Sequence, residues 1–322
     1  MKILVTGGTG FIGRHFVRRA LAGGHSVSCM VRETSDVRGL ESEKVHLVHA
    51  SIEDQTAVRR AVALASPDAV VHSAALVRSS DEKELDRVNA VGTRNICEAS
   101  LACDVKRVIH ISSIAVVGGH QMPLTDSMSP KPGNAYGRSK MEAERIVLEY
   151  RRKGLASVIL RPCMVIGEGE PHAMDVLCRL VDKRWLLLPD IPEADSKLHL
   201  VNVRNLADIM EKSLYGDAGL EGTYIIADRR AMTIRHFVEI VYEELDRGAV
   251  PVMSWGVVRC LSLVPAFRNR IKRIFRDRIY DISAARNLLG YDPGFSTEEA
   301  VRNAARSWKE KNSRLKKIRS RT

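Results

Sequence analysis

Through the first half of the chain, short runs of valine, isoleucine and leucine alternate with longer stretches whose apolar residues recur every three or four positions. Residues 2–6, 26–32, 45–49, 69–72, 107–111 and 157–160 read as strands, several of them apolar on both faces, as parallel strands covered on each side must be. Residues 11–23, 54–65, 83–102 and 136–153 read as the helices between them. This pacing predicts an α/β fold: a doubly wound parallel sheet of Rossmann type. Beyond Arg161-Pro162 the pattern loosens. Helical periodicity covers 172–183, 205–215, 233–246, 282–289 and 297–311, and strands are predicted at 198–203 and 223–227. The expected organisation is a main domain over 1–162, with 198–228 returning to it, and a smaller C-terminal α/β lobe over 163–311. The basic tail, 312–322, reads as disordered.

Composition narrows the class. With 322 residues, 45% apolar and 28% charged, the chain is an ordinary globular protein. No run approaches 18 apolar residues, and the apolar start is a strand leading into a glycine loop rather than a targeting segment. Cys29, Cys97, Cys103, Cys163, Cys178 and Cys260 form no C-x-x-C pair, which points to reduced thiols and a cytoplasmic setting. The histidines are dispersed, so no metal site is expected. The net charge of +11 is local: 259–278 holds seven basic residues and one acid, and 309–322 holds the same. A uniform nucleic-acid-binding surface is therefore not indicated.

Chemistry enters with the glycines. Gly7, Gly10 and Gly13 follow the first strand and open the first helix, within Thr6-Gly7-Gly8-Thr9-Gly10-Phe11-Ile12-Gly13. Missing side chains let backbone N–H groups approach a pyrophosphate at the helix N-terminus, so this is a dinucleotide site. At the end of the second strand an acid would bind a ribose 2′-hydroxyl; this chain has Arg32, then Glu33, Thr34 and Ser35. Arg32, with Thr34 or Ser35, fits a 2′-phosphate, which favours NADP over NAD, although Glu33 opposes it.

Downstream, Tyr136 and Lys140 lie four apart and share a helix face. A nearby ammonium favours the tyrosinate; bringing a tyrosine from about 10 to about 7 needs roughly 4 kcal/mol, available only in a confined site.

These segments, together with His72-Ser73-Ala74-Ala75, Val88-Asn89-Ala90-Val91-Gly92-Thr93-Arg94-Asn95, Ile111-Ser112-Ser113, Leu160-Arg161-Pro162, Asn205-Leu206-Ala207-Asp208 and Tyr280-Asp281-Ile282-Ser283, resemble the extended short-chain dehydrogenase/reductase family, the NAD-dependent epimerase/dehydratase group, over nearly the whole chain. The resemblance implies that Tyr136 is the general acid/base and that Lys140 lowers its pKa and holds the nicotinamide ribose. It implies that Ser113 binds the reacting oxygen, with Ser112 as the alternative register. It also implies cofactor contacts from Gly7, Thr9, Gly10, Phe11, Ile12, Gly13, Arg32, Ser51, Ile52, Ala74, Ala75, Asn89 and Pro162, Asn89 ordering the helix beside the site. Ser51 stands where the family often has an acid near the adenine. A homodimer through 83–102 and 136–153 is implied as well.

Two departures bear on substrate. Met164 occupies a position where nucleotide-sugar members carry a diphosphate-binding asparagine, and Val117 one where many carry tyrosine. Both changes resemble the hydroxysteroid dehydrogenase and flavonol reductase branches. The segment 252–278 interleaves Trp255, Leu261, Leu263, Phe267 and Phe275 with arginines, and Pro265 should break any helix through it. It reads either as a lobe helix packed inward with a solvated charged face or as a segment lying on an anionic membrane, as does the basic tail. The expected activity is NAD(P)-dependent hydride transfer to or from a secondary alcohol or ketone of a hydrophobic, sterol- or lipid-like molecule. The alternatives are a nucleotide-sugar epimerase or dehydratase and, in a different class, a cofactor-sensing binding protein.

Overall fold

The computed structural model describes residues 1–41, 44–215 and 222–319. The chain divides into two units, one of residues 1–163, 204–226 and 281–292, the other of 164–203, 227–280 and 293–322.

The first unit is built on seven strands: β1 (Lys2–Thr6), β2 (Ser26–Val31), β3 (Val45–His49), β4 (Ala69–His72), β5 (Arg107–Ile111), β6 (Ser157–Pro162) and β7 (Thr223–Ile226). All pair in parallel, in the order β7-β6-β5-β4-β1-β2-β3. The inner strands β4, β5 and β6 are buried at every position, because their apolar runs have helices over both faces. The edge strand β3 is only partly buried. The helices are α1 (Phe11–Ala22), α2 (Gln55–Ala65), α3 (Gly92–Ala102) and α4 (Ala135–Arg152). Val58 and Val62 of α2, Ile96 and Cys97 of α3, and Ile146 and Val147 of α4 pack with Leu4, Val70, Val108 and Ile159 of the sheet. Each buried branched side chain there contributes about 1.5–3 kcal/mol. Between β1 and β4 the order of strand addition reverses, which opens a crevice at the carboxyl ends of the two strands.

Residues 83–102 do not form the single helix their periodicity predicts. A short helix, Glu82–Asp86, passes through a π turn, Arg87–Val91, before α3 begins. The wide turn carries Asn89 inward, and Thr93 donates to the Asn89 carbonyl at 2.6 Å. Such turns relax the helix where a side chain has work to do elsewhere.

The second unit holds α5 (Ala173–Asp182), and its boundary at Val203 opens α6 (Val203–Lys212), whose remaining residues belong to the first unit. It also contains α7 (Ile234–Glu244), α8 (Trp255–Leu261) and α9 (Pro265–Ile274). After α10 (Ser283–Leu289) of the first unit, the chain ends in α11 (Thr297–Arg319) of the second. Met174, Cys178 and Val181 of α5, Phe237, Val241 and Tyr242 of α7, and Ala300, Val301 and Ala304 of α11 make the lobe core. Its strands are short: Met164–Ile166 pairs with Leu200–Asn202, Leu188–Pro189 with Val252–Met253, and Lys197–Leu198 with Met232–Thr233. The predicted strand 198–203 is thus split between two pairings and belongs to the lobe, not to the main sheet. His199 marks the break, its ring bonded to the Asp228 carbonyl at 2.6 Å. Conversely, 281–292 joins the first unit, where the Asp281 N–H donates to the Leu124 carbonyl at 2.9 Å.

Pro265 does break the insert: it stands at the first turn of α9, where a proline needs no N–H partner. The basic tail departs from expectation, since α11 continues to Arg319 in place of a disordered segment from 312. That stretch has neither Pro nor Gly, Lys and Arg are good helix formers, and cations at a helix C-terminus complement its dipole. Residues 320–322 of the predicted tail lie outside the described residues. Among the described residues no helix is long and apolar enough to cross a membrane.

Candidate active site

The glycine loop sits at the crevice between β1 and β4. Gly7 has φ +74, and a Cβ there would come within 2.6 Å of the Ala74 nitrogen, so only glycine lets the loop after β4 pass so close. A Cβ on Gly13 would fall 2.0 Å from the Gly7 carbonyl oxygen, so α1 rests directly on the loop. The N-cap of α1 is Gly10, which offers no side chain, and the first turn has no acid. The N–H groups of the first turn, at Phe11, Ile12 and Gly13, thus receive no side-chain cap, an arrangement that suits an anion. A cleft of about 320 Å³ opens here. Of the residues singled out in the sequence, Gly7, Thr9, Gly10, Arg32, Ser51, Ile52, Ala74 and Ala75 line it.

At the β2 end of the cleft Arg32 and Ser35 stand together, the Ser35 hydroxyl accepting from the Arg32 N–H at 3.0 Å. Thr34, the other candidate, is exposed and outside the cleft. Glu33 pairs with His49 at 3.3 Å. The sequence pattern missed Glu53 and Arg87, which line the cleft and form an ion pair with each other. Nothing in the spacing of two charges 34 residues apart signals that contact.

The second set of residues gathers at the end of β5 and the start of α4. Ser112 faces inward, buried, and donates to Glu144 at 2.5 Å. Ser113 is the half-exposed one and caps the short turn Ile114–Val116 by accepting from the Ala115 N–H at 3.2 Å. Of the two serines, Ser113 rather than the inward-facing Ser112 acts on the Tyr136 phenol, favouring its ionised form. The close seat of α4 makes this contact: a Cβ on Gly137 would lie 2.6 Å from the Ala115 carbonyl. Asn134 caps α4 by accepting from the Gly137 N–H at 2.7 Å.

Lys140 is buried, and its ammonium donates to the Ile111 carbonyl at 2.7 Å, with His110 Nε2 at 3.4 Å. Burial lowers its pKa to about 8, partly countered by Glu144. Behind it, His110 and His72 lie opposite each other on β5 and β4, ring centroids 5.3 Å apart. Thr6 and Thr93 hold the His72 ring at 2.7 and 3.0 Å, whereas His110 Nδ1 has no hydrogen-bond partner. Burial, with the Lys140 charge, holds His72 down to about 3 and His110 well below the usual range. Both rings are neutral at neutral pH. This pair, 38 residues apart in sequence, comes together only through strand register.

Tyr136 behaves unlike the sequence expectation. Burial raises its pKa above the usual tyrosine value, and the Ser113 hydrogen bond only partly opposes this.

Asn89 holds the loop and helix beside the site, as expected of it. It lines no part of the cleft; its side chain bonds both backbone groups of Leu76, at 2.8 and 2.9 Å, and reaches Ser139 Oγ at 2.9 Å. It ties the loop after β4 to α4. Pro162 is buried at the end of β6 and Val117 is fully buried, and neither is among the residues around the cleft. Arg161 and Glu144 form a buried bidentate pair at 2.7 and 2.9 Å beneath Ser112.

The strand order and glycine-lined crevice define a dinucleotide-binding enzyme of Rossmann type. More specifically, the chain belongs to the NAD dependent epimerase/dehydratase family, whose model matches residues 3–213. It is 27% identical to a UDP-glucose 4-epimerase of Vibrio cholerae over 97% of each chain. It is 26% identical to a 3 beta-hydroxysteroid dehydrogenase/Delta 5→4-isomerase of Mycobacterium tuberculosis, over 93% of this chain and 88% of that one. Among solved structures, the Bordetella bronchiseptica enzyme WbmH in complex with NAD+ matches with a TM-score of 0.78 at 20% identity, covering 96% of this chain and 98% of that one.

Proposed function

We propose that this enzyme transfers hydride between NADP and a secondary alcohol or ketone of a hydrophobic molecule. The observation that carries the reading is the convergence of Ser113, Tyr136 and Lys140 on the unit that also holds the glycine-lined crevice. The uncapped N-terminus of α1 and the close-packed Gly7 and Gly13 fit a dinucleotide pyrophosphate, with Thr9, Gly10, Ser51, Ile52, Ala74 and Ala75 around it. The nicotinamide, when bound, supplies or accepts the hydride. In the reducing direction Tyr136 gives its proton to the substrate oxygen as the carbonyl carbon gains hydride, and takes a proton back from solvent. Ser113 hydrogen-bonds the same oxygen. Lys140, its ammonium fixed by Ile111, holds the site's positive charge.

Arg32 beside Ser35, with Glu33 paired to His49, supports a preference for the 2′-phosphorylated cofactor. Met164, half-buried against the lobe core, offers no amide to a diphosphate, which supports an apolar substrate. Val117 lends no support, being fully buried. The whole-length similarity to a UDP-glucose 4-epimerase favours a second reading, a nucleotide-sugar epimerase whose cofactor is restored within each turnover. A panel of apolar ketones separates the two. Net NADPH oxidation, weaker with NADH, is expected; interconversion of sugar nucleotides with no net cofactor change would overturn the proposal. A homodimer through the outer faces of α3 and α4 is part of the proposal, checked by light scattering.

A further inference from the structure

Between α8 and α9 the lobe presents apolar side chains to solvent in sequence. Leu263 is 83% exposed, Trp255 54%, Val264 53% and Val257 49%, with Leu261 exposed beside them. The segment also has an inner face, since Ile271 and Phe275 pack against the lobe core. The segment thus packs inward on one side and leaves apolar side chains exposed on the other. Folding has used Ile271 and Phe275 and left the tip from Leu261 to Val264 uncovered. No residue of α9 is buried.

Around that tip the charge has one sign. Arg259, Arg268, Arg270, Lys272, Arg273 and Arg276 are all exposed, and Asp277 is the one acid between 259 and 278. Arg259 lies over the Trp255 ring, 5.1 Å from its centroid. A second copy of the chain docking tip to tip would bring like charges together, which is costly once they are desolvated. A nucleic acid would meet the cations but would have to cover aliphatic leucine and valine, which offer no stacking surface. One partner satisfies both features: a bilayer with anionic headgroups, whose interface accepts Trp, Leu and Val side chains while its charge attracts the arginines.

We infer that the α8–α9 tip docks the enzyme on an anionic lipid surface, Leu261, Leu263, Val264 and Trp255 entering the headgroup region and the flanking arginines contacting lipid phosphates. The inference stands independently of the substrate proposed above.

The test is flotation of the full-length protein with vesicles of phosphatidylcholine alone or phosphatidylcholine with phosphatidylglycerol. Binding to the mixed vesicles is expected to exceed that to the zwitterionic ones by roughly tenfold or more and to fall with added salt. L261S/L263S is expected to lose roughly tenfold in partitioning, and R268Q/R270Q a comparable amount. Both variants change exposed side chains, and unchanged melting shows that they fold. Brominated lipid should quench a tryptophan signal that is absent from W255F. Absence of flotation, equal binding to both vesicle types, wild-type flotation of L261S/L263S, or a dimer that L263S splits without any flotation would each overturn the inference.

Discussion

The region around Tyr136 and the tip at Leu263 differ in how their sequences have been used. Beneath Tyr136, Ser112, Glu144, Arg161, Lys140, His72 and Thr93 are buried and each is held by a neighbour from another element. At the tip, apolar residues that would ordinarily be buried first are left in water. One region is over-determined, as a site requiring angstrom-level placement must be. The other keeps surface in reserve, as a region that completes itself on a partner does. The buried network and the exposed tip thus differ in which side chains the fold covers, not in which residue types are present.

The sharpest way to break this contrast is at the buried ion pair. Replacing Glu144 with alanine leaves Arg161 charged and unpaired, and equilibrium denaturation should show a loss of about 3–5 kcal/mol. A loss below about 1 kcal/mol would mean that the network beneath Tyr136 is not constraining.

The next effect is acid lability. His72 is held at about 3 and His110 well below its usual range, so between pH 6.5 and those values the unfolded chain binds protons that the folded chain refuses. Stability must therefore fall as pH falls from 6.5, by about 1.4 kcal/mol per pH unit for each ring kept neutral. Urea unfolding between pH 6.5 and 5 measures the slope, and His110→Gln should remove roughly half of it. Lys140 carries the same sign at the alkaline end, stability rising from about pH 8 toward 10.5. The smallest effect lies at the other pole of the comparison: Leu263→Ser should change stability by no more than about 0.5 kcal/mol, since nothing in the fold packs on that side chain.

Legibility in the sequence follows the same division. The first six strands and most of the helices between them were readable because each carries its own pattern: an apolar run, a helical period, or glycines at a fixed interval. The dinucleotide crevice was readable for the same reason, since Gly7, Gly10 and Gly13 lie within one loop. What escaped depends on register or on distant partners. His72 meets His110, and Glu144 meets Arg161, only once β4, β5, β6 and α4 are side by side. Asn89 could be marked in the sequence, but not its anchoring to Leu76 and Ser139, which the π turn creates. The lobe strands are two or three residues long, too short for a period to show. In the tail, charge points to disorder while helix propensity points to a continuing α11, and the helix runs to Arg319.

The central claim is that Tyr136 exchanges a proton with the substrate oxygen on this dinucleotide scaffold. Steady-state turnover of Tyr136→Phe, beside fluorescence titration of NADPH, tests it most directly. The account predicts a fall in kcat of roughly 10²–10⁴-fold with cofactor affinity within about threefold of the parent. Turnover within a few-fold of the parent, with NADPH bound as tightly, would contradict it.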